Sequence, residues 1–160
     1  MTGQIPNNRS VVWIERQLLA PPEVVFARWT DPPSMARWLS PTGEAEVEAE
    51  VRVGGRFTVV MLGDGTRLQH TGEYLAIEPP RRLSFTWVSP FTGEQPSVVT
   101  VELEPSRGGT MLRLTHERLP ADEVEPHQGG WGSIIDNLAA TLANDGVDGM
   151  DADGPIAGAP

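Results

Sequence analysis

Residues 44–65, EAEVEAEVRVGGRFTVVMLGDG, decide how this chain folds. Glu46, Glu48, Glu50 and Arg52 alternate with Val47, Ala49, Val51 and Val53, a period of two that puts each set on its own face of an extended strand. The acidic set is expected to face water. Gly54-Gly55 interrupts the strand, Arg56 to Leu62 resumes it, and Gly63-Asp64-Gly65 supplies a reversal. The stretch therefore reads as an antiparallel hairpin rather than a strand followed by a helical crossover.

The same alternation continues outward. Residues 67–77, 82–89, 97–104 and 110–118 read as further strands, separated by Pro79-Pro80, a loop containing Pro and Gly, and Ser106-Arg107-Gly108-Gly109. Upstream, VVWIERQLLA (11–20) alternates through Val12, Ile14 and Leu18 until Pro21-Pro22 stops it. Pro22 then suits a helix start, with Glu23 in the first turn and Val25, Phe26 and Trp29 on one face. Pro32 and Pro33 are expected to end that helix, leaving Met35, Trp38 and Leu39 for a second brief turn before Pro41. Within 122–144, Trp131, Ile135, Leu138 and Leu142 recur at helical offsets, so one face covers a sheet. The pattern predicts an α+β domain over 11–143, preceded by a polar lead (1–10) and followed by a flexible acidic tail (144–160).

Composition bounds the function. The chain has 160 residues, and all 12 basic ones are arginine, against 22 acidic ones, for a net charge of -10. Four of those charges, on Asp145, Asp148, Asp151 and Asp153, belong to the tail; the remaining body is still acidic. Nucleic acid and anionic membrane surfaces would repel such a molecule. Cysteine is absent, which removes thiol nucleophiles and Cys-type zinc sites. No apolar run is long enough for membrane insertion, and the opening MTGQIPNNRS lacks the basic-then-apolar form of a signal peptide, so a cytoplasmic location is expected.

Several short stretches carry a resemblance: Pro22–Phe26, Trp29-Thr30-Asp31-Pro32, Arg37-Trp38, Gly54-Gly55-Arg56-Phe57, Gly72-Glu73-Tyr74, Pro79-Pro80-Arg81-Arg82-Leu83, Phe85-Thr86-Trp87, Gly109-Thr110 and His127–Trp131. Together they resemble the family related to the activator of the heat-shock-ninety ATPase. The resemblance implies the helix-grip fold of the START and birch-pollen-allergen superfamily, in which a curved antiparallel sheet wraps a long C-terminal helix, here with two short helices after the first strand. It also implies an elongated ligand cavity, and in some members chaperone activation with its stress-response setting. The chain resembles one stand-alone family domain, without the large additional amino-terminal domain of the eukaryotic activator.

That fold nominates a site for a small hydrophobic or amphipathic ligand. Candidate lining residues are Phe57, Val59, Met61, Tyr74, Phe85 and Trp87 on strands, Trp131, Ile135 and Leu138 on the terminal helix, and Trp38. Aromatic and Met side chains provide apolar reach, and a Tyr hydroxyl or indole N–H can orient a ligand. His116 is a further candidate contact. The alternative for each is a place in the core.

No residue pattern specifies catalysis. There is no GxxxxGK[ST] phosphate loop, no G-x-S-x-G elbow, and His70, His116 and His127 have no zinc-ligand spacing, so no cofactor or metal is expected. Glu46, Glu48 and Glu50 form a ladder, not a carboxylate pair, and Asp136 suits i,i+4 support on its helix. The leading expectation is a non-enzymatic ligand-binding protein. A chaperone-associated interaction domain is the alternative, followed by a small cavity enzyme using His116 and Glu73. A homodimer partner is compatible with the pattern.

Overall fold

The computed structural model describes residues 11–93 and 95–153, with side chains to Asp145. The period-two stretches form seven strands: β1 Val12–Leu18, β2 Ala45–Ala49, β3 Arg56–Gly63, β4 Thr66–Glu78, β5 Arg82–Trp87, β6 Ser97–Ser106 and β7 Gly109–Glu117. Helices α1 (Pro22–Thr30) and α2 (Pro32–Met35) follow β1, and a 3-10 turn, Ala121–Glu123, leads into α3 (Val124–Asp153). The strands make one antiparallel sheet in the order β1-β7-β6-β5-β4-β3-β2. This is the helix-grip arrangement, a curved sheet closed by a long terminal helix.

Alternation places the core. Phe57 and Val59 on β3, Tyr74 on β4, Leu83, Phe85 and Trp87 on β5, and Leu112 and Leu114 on β7 are all buried. They meet Trp131, Ile134, Ile135, Leu138 and Leu142 of α3. Burial of so many large apolar side chains is the main favourable term in folding. Glu46 and Glu48 stand on the wet face of β2 as their spacing requires. Strand β3 turns into β4 through Asp64 and Gly65, with Gly63 paired to Thr66 and Gly65 at φ 75°.

Four details differ from the sequence pattern. Strand β2 ends at Ala49, before Val51 and Val53, because the chain folds tightly there: Arg52 N–H donates to Glu50 and Gly55 N–H to Arg52. Pro32 begins α2 as well as closing α1. The Asp31 carboxylate accepts from Ser34 N–H at 3.2 Å, and a proline in the first turn costs no helical hydrogen bond. Asp136 pairs with Arg16 on β1 rather than with a residue of its own helix. Finally, α3 continues to Asp153, so the first part of the expected tail is helical. Asp145 is held by Arg28 at 2.8 Å and Arg37 at 3.3 Å, and adding residues to a formed helix is far easier than nucleating one. The polar lead and residues 154–160 lie outside the described residues.

Helix α3 also grips the sheet's β1 edge. The Gln128 side chain accepts from Trp13 N–H at 3.2 Å and donates to Trp13 C=O at 3.0 Å, so its amide pairs with the strand as a neighbouring backbone would.

Candidate functional site

Between the first turns of α3 and strands β3 to β5 lies a cavity of about 290 Å³. Met61 of β3, Leu68 and His70 of β4 and Trp87 of β5 form its sheet side. Glu123, Pro126, His127, Gly130, Trp131 and Ile134 form the helix side, with Pro41 and Phe91 at loops. Phe91, 47% exposed, lies where this lining meets solvent. Gly130 is among the lining residues, and a Cβ added there would meet nothing within 4 Å.

A much smaller void, about 20 Å³, lies on the other side of Trp87. Phe57, Val59, Tyr74 and Phe85 surround it, together with Trp29, Met35, Leu39 and Val47. Here the aromatic rings pack against one another, Phe57 and Phe85 edge to face at 5.4 Å and Phe57 and Tyr74 at the same separation. The volume suffices for about one water molecule, not for a ligand. Burial in this apolar cluster pushes the Tyr74 hydroxyl up to about 12.

The sequence candidates therefore divide. Met61, Trp87 and Trp131 line the larger cavity. Phe57, Val59, Tyr74 and Phe85 line the small void. Trp38, Ile135, Leu138 and His116 are fully buried and line neither. On α3 it is Ile134, one residue before the nominated Ile135, that lines the larger space.

His116 has a different job. Trp131 Nε1–H donates to His116 Nδ1 at 2.9 Å, which leaves the ring proton on Nε2. That proton is donated to Ser97 Oγ at 2.8 Å, and Ser97 donates onward to the Trp87 carbonyl at 2.5 Å. The chain of donors runs in one direction, from the helix wall of the cavity to its sheet wall. Its members are inaccessible to water, so each partner left unmatched would be costly. Glu73, the other residue of the enzyme alternative, sits beside Arg56 at 4.0 Å and does not line the cavity.

Sequence reading missed His70, Glu123 and His127, which the fold brings to one cavity. The signals were present: His70 shares strand parity with Tyr74, and Glu123, His127 and Trp131 follow one another at steps of four. His127 Nδ1–H donates to the Glu123 carbonyl at 2.8 Å and lies 3.5 Å from the Glu123 carboxylate. His70 Nδ1–H donates to the Leu68 carbonyl at 3.2 Å, and its ring lies 4.8 Å from that of Trp87. Among the described residues, no group of three or more His, Asp or Glu is placed to hold a metal ion.

Burial pushes His70 down to about 4. Burial, aided by the nearby His127 and His70, pushes His116 down to about 3. Unfolded, both titrate near 6.5, so below that pH the unfolded chain binds protons that the native state refuses. Stability is complete above about pH 7 and falls with acidification, down to about 4 for His70 and about 3 for His116. Each histidine contributes a slope of up to about 1.4 kcal/mol per pH unit. Urea denaturation at pH 7, 6 and 5 is expected to show a falling midpoint; a constant midpoint would contradict the buried neutral pair.

Fold and cavity together define the class: a helix-grip domain whose terminal helix and sheet enclose an aromatic cavity opening at one end. The chain belongs to the family described as Activator of Hsp90 ATPase homolog 1-like protein, whose model matches residues 19–143. No curated protein matches it in sequence. Among solved structures, protein MLL2253 from Mesorhizobium loti is 30% identical, with a TM-score of 0.69 over 84% of this chain and 97% of that one. CalU16 from Micromonospora echinospora is 28% identical, with a TM-score of 0.66 over 86% and 79%. PFC0360w, an HSP90 activator from Plasmodium falciparum, is 29% identical, with a TM-score of 0.57 over 69% and 74%.

Proposed function

We propose that this protein binds a small hydrophobic or amphipathic molecule in the cavity between α3 and strands β3 to β5, without transforming it. The observation that carries the proposal is the cavity itself: about 290 Å³, walled by Trp87, Trp131, Met61, Leu68 and Ile134, with Phe91 at its border. Apolar walls with a few polar groups are what small-molecule sites generally present, and this volume suits a compact molecule. The histidine relay supports binding over catalysis, because both His116 nitrogens are already committed.

Native mass spectrometry of gently purified protein is expected to show a retained small molecule. Gly130→Leu supplies the control. Its side chain would enter the cavity from a helical position with open space around it, so ligand retention should disappear while the melting temperature holds or rises. Unchanged retention in Gly130→Leu would remove this cavity as the site.

Membership of the family and likeness to an HSP90 activator favour a second reading, a chaperone-associated domain with a stress-response role. Pull-down and ATPase assays with the chaperone of the same organism test it; neither binding nor stimulation would count against it. No helix among the described residues is long and apolar enough to cross a membrane. A cytoplasmic location and a homodimer remain parts of the proposal that rest on composition and pattern; cell fractionation and analytical ultracentrifugation test them.

A further inference from the structure

The polar side chains on the cavity wall share one property. His127 spends Nδ1–H on the Glu123 carbonyl, which leaves its Nε2 lone pair as an acceptor, and His70 spends Nδ1–H on the Leu68 carbonyl with its ring also against the Val59 backbone, so neither ring offers a free N–H. The third polar side chain, Glu123, is a carboxylate and accepts only. The Trp131 indole N–H is committed to His116. The entry to α3 offers little more: the Glu123 and Val124 amides donate to Pro120 and Ala121, and Pro126 has no amide proton. Around these acceptors the walls are aromatic and aliphatic.

Resting on the binding proposal above, we infer that the occupant is a neutral aromatic molecule carrying a hydroxyl group, whose proton is accepted by His127 Nε2. A donor is what the acceptors lack, and a ring matches the faces of Trp87, Trp131 and Phe91. An anionic ligand would meet the Glu123 carboxylate without a facing cation among the lining residues. A cationic ligand would have Glu123 as its one charged partner and would lose its hydration among aromatic and aliphatic walls.

Four ring-matched probes test the inference on the full chain at pH 8: 2-naphthol, 2-methylnaphthalene, 2-naphthoate and protonated 2-naphthylmethylamine, titrated by amide NMR shifts. 2-Naphthol is expected to bind about tenfold tighter than the other three, the effect of one buried hydrogen bond. His127→Phe should erase that preference, with 2-naphthol and 2-methylnaphthalene then binding alike, and amide shifts away from the cavity that match the parent report an intact fold. His127→Gln, which keeps an acceptor, should restore part of it. Equal or tighter binding of 2-methylnaphthalene, the carboxylate or the amine overturns the donor assignment and leaves the cavity reading standing. A 2-naphthol preference that survives in His127→Phe overturns the role of His127. Binding of none of the four overturns the cavity reading, and this inference with it.

Discussion

Gly72→Ala is expected to destabilise the protein by about 3 kcal/mol or more, enough to lower its melting temperature by roughly 10 °C. A Cβ at this position would lie 2.0 Å from the Thr86 carbonyl oxygen and 2.3 Å from Phe57 Cζ. The Phe57 ring can shift, but Thr86 belongs to the backbone of β5 and cannot move without disturbing the sheet. Phe57→Leu in the Gly72→Ala background should therefore recover only part of the loss. Gly129→Ala makes a useful contrast, because that helical position has nothing within 4 Å and the change should stabilise by about 0.5–1 kcal/mol. A Gly72→Ala protein that melts with the parent would mean that β3 and β5 do not approach this closely across β4.

His116→Ala is expected to cost about 3–5 kcal/mol. It opens a hole in a fully buried place and leaves the Trp131 N–H without its acceptor. It also frees Ser97 from its donor and so loosens the connection to the Trp87 carbonyl. His116→Gln can both accept from an indole and donate to a hydroxyl, so it should retain more stability than His116→Ala. Urea denaturation followed by tryptophan emission reads both effects, and a His116→Ala cost below about 1 kcal/mol would show that the relay adds little. Ligand affinity is expected to fall with His116→Ala as well, since Trp87 and Trp131 lose the link that sets their relative position.

Most of the architecture was legible because it depends on local chemistry. Alternation in residues 44–118 reports strands directly, and Pro21-Pro22 marks the end of β1 wherever the rest of the chain goes. The apolar stripe from Trp131 to Leu142 likewise reports the buried face of α3. The ends of elements were less legible. Stopping β2 at Ala49 depends on hydrogen bonds within the turn that follows, and the Arg16–Asp136 pair requires two elements far apart in sequence to meet.

The site was legible in type but not in depth. Phe57 and Met61 share a strand and a parity, yet Phe57 packs in the aromatic cluster while Met61 borders the cavity. Parity tells which face a residue takes; the distance to α3 along that face comes from the assembled sheet. His116 shows the same limit from the other side. Its burial follows from alternation on β7, but its commitment to Trp131 and Ser97 follows only from the packing of three elements.

The grip of Gln128 on Trp13 bears on self-association. A second copy adding its own strand along the whole of β1 would have to displace both bonds of that amide, so this edge is capped at Trp13 from within the chain. At the opposite edge, two-fold pairing through β2 would bring Glu48 of each copy close to the other's acidic ladder, in which Arg67 pairs with Glu46 and Arg52 with Glu50 but Glu48 has no ion-pair partner among the described residues. Growth of the sheet is opposed by hydrogen bonds already made at Trp13 on one side and by Glu48 on the other. Any assembly of this protein is therefore expected to use its helices or loops, and the fold resists the strand-by-strand stacking by which sheet proteins form fibrils.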